Sequence, residues 1–394
     1  MNKVARLLKG GVLDEGVDDI QEEGPSSTNK TTSKVGRIMF LGDVALARRI
    51  GEQIERYGAA YPFAKLPSNF FGADIVVFNL ECCLSVRGSS WEPKPVLMRG
   101  KAEYLDVFPR QQQRYVANVA NNHFLDFGEV GAMDTIEALK AAGLFHIGAD
   151  GELTNSQPLV LQTPGGSVAL LAFAPCAHRL SGKVRVNVAP ELPRDIVKAV
   201  EQAHGCADLL VVSLHQGVEH CRFTHRWSRQ LARDVVEAGA DLVVVHHTHV
   251  IQGIEQVRDG VIFHGIGNFL LDVPQERRPA AAHTLAVRIE IVDGKIKRIS
   301  AEPLEMNEEW QPVVLEGPSR DNLFLEVKKL SLLFDSKIGV AINNAGAWKR
   351  WFAHKLSGSW LMIQRVGARK TALYYLGRVV KKLAARLAWL GTFR

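Results

Sequence analysis

Long apolar runs are missing from this 394-residue chain: none approaches the roughly 20 residues that a membrane-spanning helix needs, so no spanning segment is expected. Residues 1–34 carry Lys3 and Arg6 but only a brief Val-Leu stretch before acidic residues take over, so no secretory signal is expected either. The five cysteines (Cys82, Cys83, Cys176, Cys206, Cys221) are odd in number, irregularly spaced and form no C-x-x-C. That argues against a disulfide framework and against zinc-finger chemistry, and it fits a reducing cytosol. No internal repeat is present. Acidic residues are absent from the last 59 positions, where Ser336 to Arg394 hold twelve Lys or Arg. The remaining 36 basic residues face 42 acidic ones, so an acidic body of about −6 precedes a basic tail.

What the chain does have is a recurrence. Arg-Ile-Met-Phe-Leu runs into Gly42-Asp43, and Ile-Val-Val-Phe into Asn79-Leu80-Glu81. Tyr-Val-Ala-Asn-Val-Ala leads to Asn121-Asn122-His123, Leu-Leu-Val-Val-Ser-Leu to His215, and Asp-Leu-Val-Val-Val to His246-His247-Thr248-His249. Uninterrupted β-branched runs read as strands buried on both faces. Ligands collect outside the carboxyl ends of such strands. Singly, each motif has a plain structural reading: a turn at Gly42-Asp43, a helix cap at Asn121-Asn122, a core histidine at His215. Jointly they read as a metal-dependent active site, because neutral imidazole is the commonest transition-metal ligand and all five motifs share one placement.

Residues 1–34, rich in Gly, Pro, Ser and Thr around Gly24 to Ser33, read as a flexible leader. The body spans 35–318. The spacing predicts helices over Glu129–Ala142, closed by Gly143, and Trp227–Ala238, stopped by Gly239. Further strands are expected at Val168–Ala174, Val261–Gly265 and Thr284–Ile291, the last followed by the hairpin signal Asp293-Gly294. This order implies an α/β layered fold. Residues 319–394 read as a helical extension over Asn322–Leu333, Trp348–Trp360 and Val366–Leu390. Its aromatic and basic residues interleave as in an interfacial helix on anionic lipid. A lid packed on the body fits the same composition, and no reader motif accompanies the basic helices to support nucleic-acid binding.

The ordered series resembles the bacterial CapA-like family of poly-γ-glutamate capsule synthesis, itself similar to a divergent branch of the calcineurin-like metallophosphoesterases. The resemblance rests on Gly42-Asp43-Val44, Asn79-Leu80-Glu81 and Ala120-Asn121-Asn122-His123 with Asp126, Gly128 and Gly131. It continues through Leu214-His215-Gln216-Gly217-Val218-Glu219, Ala238-Gly239-Ala240-Asp241 and His246 to His249, and ends at Gly267-Asn268-Phe269. It implies a four-layer α/β/β/α sandwich with a dinuclear centre of one or two Mn, Fe or Zn ions. Asp43, Glu81 (bridging), Asn122, His215, His247 and His249 would be the ligands, with His123 acting on the substrate. Asn79, Asn121, Glu219, His246 and Asn268 are the candidates for contacting substrate.

There are departures from the phosphoesterase pattern. Val44-Ala45 replaces the His of Asp-x-His, and Leu84 stands where Asp or Asn is usual. Within the CapA-like pattern, Gln216 stands where Trp is common and Val245 where Gly commonly precedes the His cluster. The expected function is capsule or exopolymer biosynthesis through a metal-dependent hydrolase or transferase acting on a polymer or phosphoester. The alternative is a non-catalytic assembly factor that binds polymer. The expected location is the cytoplasm, with the basic tail touching the inner face of the membrane. An acidic body repels a polyanionic polymer unless the tail or the metals offset this.

Overall fold

A computed structural model of the chain describes residues 12–14, 34–90, 94, 96–109, 113–149, 157–175, 193–273 and 281–350. Strand β1 (Val12–Asp14) comes from the leader, and the body opens with β2 (Val35–Val44) and helix α1 (Arg48–Tyr57). Next come β3 (Ile75–Leu80), the short parallel pair β4 (Cys83–Leu84) and β5 (Arg99–Gly100), and then β6 (Arg114–Asn118). Helix α2 (Gly128–Ala141) leads to β7 (Phe145–Ile147). A second run follows: β8 (Leu159–Thr163), β9 (Gly166–Phe173), α3 (Pro193–Ala203), β10 (Leu209–His215), α4 (Arg226–Glu237), β11 (Leu242–His246), β12 (Ile254–Val257) and β13 (Gly260–Phe263). The chain then returns to the first sheet through β14 (Asn268–Leu270), β15 (His283–Val292), β16 (Lys295–Met306) and β17 (Pro312–Val314), and closes the body with α5 (Gly317–Leu332). A further helix covers residues 337–350.

The first sheet has the order β1-β16-β15-β2-β3-β6-β7, with β14 beside β2 and β17 beside β16. The second has the order β12-β13-β11-β10-β9-β8. In both, the strands bearing the motifs are parallel and central: β2, β3 and β6 in one, β10 and β11 in the other. Alternation along each strand builds the layers. Ile38, Phe40, Ile75, Val77 and Val116 face Leu170, Val211, Val244 and Phe263 across the gap between the sheets. Met39, Leu41, Val76 and Phe78 bury outward against Ile50 of α1 and Ile136 of α2. Leu171, Val212, Leu214 and Val243 bury outward against Val200 of α3 and Leu231 of α4. The fold is thus the expected four-layer α/β/β/α sandwich. Truncating a fully buried core ring such as Phe40 or Phe263 to Ala costs about 3–5 kcal/mol.

Two local features hold the site end together. Gly42 lies so close to the Gly267 carbonyl that a Cβ would collide with it, and this proximity lets Asp43 N donate to Gly267 O at 3.0 Å. The Asp293-Gly294 hairpin forms with φ of 50° and 74°, the mirror-image turn geometry that suits a two-residue loop. Helix α5 starts five residues before the expected Asn322, with Pro318 in its first turn. Its Leu323, Phe324 and Val327 join the core between the sheets, and Ser331 Oγ accepts from Ile254 N at 2.8 Å. Of the two later helical segments expected in the tail, everything beyond residue 350 lies outside the described residues.

Candidate metal centre

The carboxyl ends of β2, β3, β10 and β11 meet at one edge of the sandwich. Glu81 N donates to Val44 O at 2.8 Å, so the turn after β3 is tied to the end of β2. His215 and His246 are register partners on β10 and β11. After His246 the backbone reverses, with His247 at φ 84° and His249 at φ 57°. Non-glycine residues rarely take this left-handed region, at a cost of roughly 1–3 kcal/mol each, and such strain gathers at functional sites.

Two donor sets result. Glu81, His215 and His247 form one, and Asp43, Glu81 and His249 the other; in each set one ligand atom per residue lies within 4.8 Å of the rest. Glu81 belongs to both, the place that family resemblance gives a bridging carboxylate. His215 Nε2 and His249 Nε2 each stand 3.6 Å from Glu81 Oε1, and Asp43 Oδ2 lies 3.2 Å from His249 Nδ1. Asn122 Oδ1 is 2.8 Å from His215 Nε2, so the sixth expected ligand adjoins the first set. Glu81 Oε1 is buried with no hydrogen-bond partner. A buried carboxylate oxygen in that state is costly unless a cation meets it. The residues therefore fit a divalent ion or pair. Mixed imidazole, amide and carboxylate donors suit transition ions better than Ca or Mg.

The electrostatics agree. Burial pushes Glu81 well above the usual carboxylate range, and the charges of Asp43 and Glu219 add to that push while His249 opposes it. Asp43 is also buried, yet its contacts with His246 and His249 hold it well below its ordinary value. Burial, reinforced by His247, keeps His215 neutral, the form that ligates. His249 is raised to about 10: burial opposes its charge, but Glu81 and Asp43 prevail. Glu81 and His249 thus retain a proton between them when no cation is there.

The remaining sequence candidates lie around these sets. Asn79, Asn121, His246 and Asn268, expected to touch substrate, are all at least 96% buried, and three of them contact the candidate ligands. Asn79 Nδ2 donates to Asp43 Oδ1 at 2.9 Å and lies 3.3 Å from His215 Nδ1. Asn121 spends its amide on the turn: Oδ1 accepts from His123 N and Phe124 N, both at 3.0 Å, and Nδ2 donates to Leu80 O at 2.7 Å. His246 Nδ1 stands 3.2 Å from Asp43 Oδ1, and Asn268 Oδ1 stands 2.9 Å from His249 Nδ1. Glu219 does reach the site electrostatically, through Glu81 and His249.

His123 is held by its neighbours. Its Nδ1 pairs with Asp126 Oδ2 at 2.7 Å, which leaves Nε2 as the nitrogen able to exchange a proton. Lys94 Nζ donates to Asp126 Oδ1 at 2.7 Å and to Asn122 O at 2.5 Å. Lys94 was missed in the sequence because it sits in a Pro-flanked loop with no strand leading to it. Asp126 is buried, but His123 and Lys94 together keep it below its ordinary value. Cys82 and Cys83 are free and buried, their thiols pushed up by burial (Cys83 to about 11), and neither joins a donor set among the described residues. The family departures are absorbed away from the donors: Val245 packs among the outer core of the second sheet and Leu84 among that of the first. Gln216 Nε2 donates to Ser228 O at 3.0 Å.

Comparison with known proteins decides the kinship. The family model described as "Bacterial capsule synthesis protein PGA_cap" matches residues 37–273, the whole span of the motifs. The chain belongs to this family. Among similar proteins, the capsule biosynthesis protein CapA of Bacillus anthracis is 29% identical over 302 residues, covering 74% of this chain and 72% of its own. The PGA biosynthesis protein CapA of Bacillus subtilis is 28% identical over 296 residues, covering 74% and 77%. Among solved structures, a novel phosphatase from Mycoplasma pneumoniae superposes with a TM-score of 0.43 at 14% identity, over 75% of this chain and 97% of that one.

Proposed function

We propose that this member of the PGA_cap family serves capsule or exopolymer biosynthesis of the poly-γ-glutamate type, through a metal-dependent hydrolase or transferase site of the metallophosphoesterase kind. The observation that carries this reading is the pair of donor sets sharing Glu81, whose Oε1 is buried without a hydrogen bond. Asp43, Glu81 and His249 would hold one ion; Glu81, His215, His247 and Asn122 would hold the other. Bound there, divalent Mn, Fe or Zn supplies Lewis-acid activation of water and neutralises charge on a transferred phosphoryl or acyl-phosphate group. The chain's own residues do the rest. Asn79 and Asn268 keep the donors in register. His123, with Nδ1 fixed by Asp126, protonates the leaving group through Nε2. Lys94 fixes Asp126 in turn.

Turnover of bis(4-nitrophenyl) phosphate with added Mn²⁺ tests the reading. The parent is expected to be active, and His123→Asn to lose about 10²–10⁴-fold in kcat with metal content unchanged. Equal rates for the parent and His123→Asn would refute the assignment of His123.

The charge distribution supports a second element. No helix among the described residues is long and apolar enough to cross a membrane. Contact with the inner face of the membrane would fall to the basic residues that follow 350. Removing residues 351–394 is expected to abolish sedimentation with phosphatidylserine vesicles. Unchanged binding would contradict that placement.

A further inference from the structure

The loop after His215 carries Glu219 and His220 to the metal centre. His220 N donates to Thr248 O at 2.7 Å, and its ring centroid is 5.5 Å from that of His249. His220 has φ 55°, so three histidines at this edge, with His247 and His249, hold left-handed backbone. Such a conformation persists only when its surroundings over-determine it. For His220 they include Thr248 and His249, while the loop that carries it is held from outside by the far end of the chain.

On its outer side the loop packs against the helix at 337–350. Asn343, which is 2% exposed, makes a reciprocal pair with Thr224: its Oδ1 accepts from Thr224 N at 2.9 Å, and its Nδ2 donates to Thr224 O. Ala347 closes a small apolar cluster with Val218 and Cys221, joined by Phe223. Gly346 lies so close that a Cβ there would collide with the Phe223 ring. Arg222 pairs with Glu326 of α5. From the inner side Gln252 completes the grip, its Oε1 accepting from Thr224 Oγ1 at 3.0 Å and its Nε2 donating to Cys221 O at 2.6 Å. None of residues 217–225 is exposed, and part of that burial comes from contacts with Asn343 and Ala347. The helix that supplies them lies outside the family-matched residues 37–273.

We infer that the helix at 337–350 is a built part of the active centre, in which Asn343 is a positioning residue that acts through Thr224 and the 217–225 loop on Glu219 and His220 beside His249. This rests on the metal-centre reading above for its chemical meaning. It deepens that reading by making the loop beside His249 depend on the C-terminal extension.

The test uses the full chain, Asn343→Ala, Glu219→Gln, their double variant, and Ile338→Ala as an exposed control on the same helix. Two readouts are taken: Co²⁺ titration followed by its visible bands, and histidine-ring NMR of the metal-free protein. In the NMR, His264 serves as a buried reference outside the loop. Asn343→Ala is expected to move the His220 and His249 resonances but not His264, and to weaken Co²⁺ binding about tenfold. Ile338→Ala should do neither. The double variant should bind no more weakly than Glu219→Gln, because both changes act through one group. If Asn343→Ala does not fold, Gly346→Ala displaces Phe223 and reports on the same loop. A variant that melts earlier yet keeps the parent's ring resonances and Co²⁺ affinity would overturn the inference, leaving Asn343 a structural contact only. A parent that takes up no Co²⁺ would sink the metal reading instead, and the ring resonances would still decide this one.

Discussion

The buried carboxylate and histidine clusters around Glu255 and around Glu81 are resolved in opposite ways. Around Glu255, on β12, the fold supplies its own cations. Glu255 accepts from Arg229 Nε at 2.9 Å and Nη2 at 2.6 Å, from Arg233 Nη1 at 2.5 Å and from His264 Nε2 at 2.9 Å. Burial would raise its pKa, but His264 and Arg229 bring it down to about 2. Around Glu81 the balance reverses: burial and the neighbouring charges of Asp43 and Glu219 push it up, and Oε1 has no hydrogen bond. In the Glu255 cluster, Glu255, Arg229 and Arg233 sit on regular strand and helix, whereas the Glu81 cluster leans on left-handed His247 and His249. Glu255 finds its charge partners within the fold, as a structural network does. A shortfall on strained backbone is what a functional site shows, and the residues around Glu81 are of the kind that could hold a cation.

The sharpest way to break the contrast is to remove donors from each cluster. His247→Ala with His249→Ala should eliminate metal uptake and the melting-temperature rise that added Mn²⁺ or Zn²⁺ gives the parent, since a ligand at 100–1,000 times its Kd stabilises by about 3–4 kcal/mol. An undiminished rise would dissolve the distinction. Glu255→Ala should leave metal uptake intact and cost about 3–5 kcal/mol in urea unfolding, because two arginines and a histidine lose their buried partner. A loss below ~1 kcal/mol would show that solvent reaches that network after all.

Acid titration separates the clusters further. Glu255 has a depressed folded pKa, about 2 against an ordinary 4.5, so its contribution is complete above the unfolded value and fades as pH falls from about 4.5 to 2. The gap in unfolding free energy between the parent and Glu255→Gln should therefore be flat above pH 5 and narrow on acidification. A gap that widened on acidification would reverse the assigned sign. The smallest effect is expected at Glu81→Gln under chelation. The carboxylate is already disfavoured there, so stability should change by no more than about 1 kcal/mol while metal uptake collapses.

The layered fold was legible because strands buried on both faces leave unbroken β-branched runs, and β2, β3, β6, β10 and β11 all follow from that signal. Their ends gave away the donors Asp43, Glu81, His215, His247 and His249 for the same reason. What lay hidden was whatever depends on contacts across long separations. Sequence position cannot reveal that Asn79 and Asn268 are walled in by their own neighbours. Lys94 reaches Asp126 from a loop 32 residues away, and Asn343 reaches Thr224 across 119. The Glu255 network was likewise invisible, since Arg229 and Arg233 look like the ordinary solvated face of an amphipathic helix until β12 packs against them.

Metal content is the most direct test of the central claim, measured by elemental analysis on untagged protein beside the His247→Ala, His249→Ala double variant. One to two equivalents of Mn, Fe or Zn in the parent, absent from the variant, is the predicted result. A parent that holds none and takes up none on titration would contradict it, and the strained edge with its unsatisfied Glu81 would then be a scaffold for polymer assembly without metal chemistry.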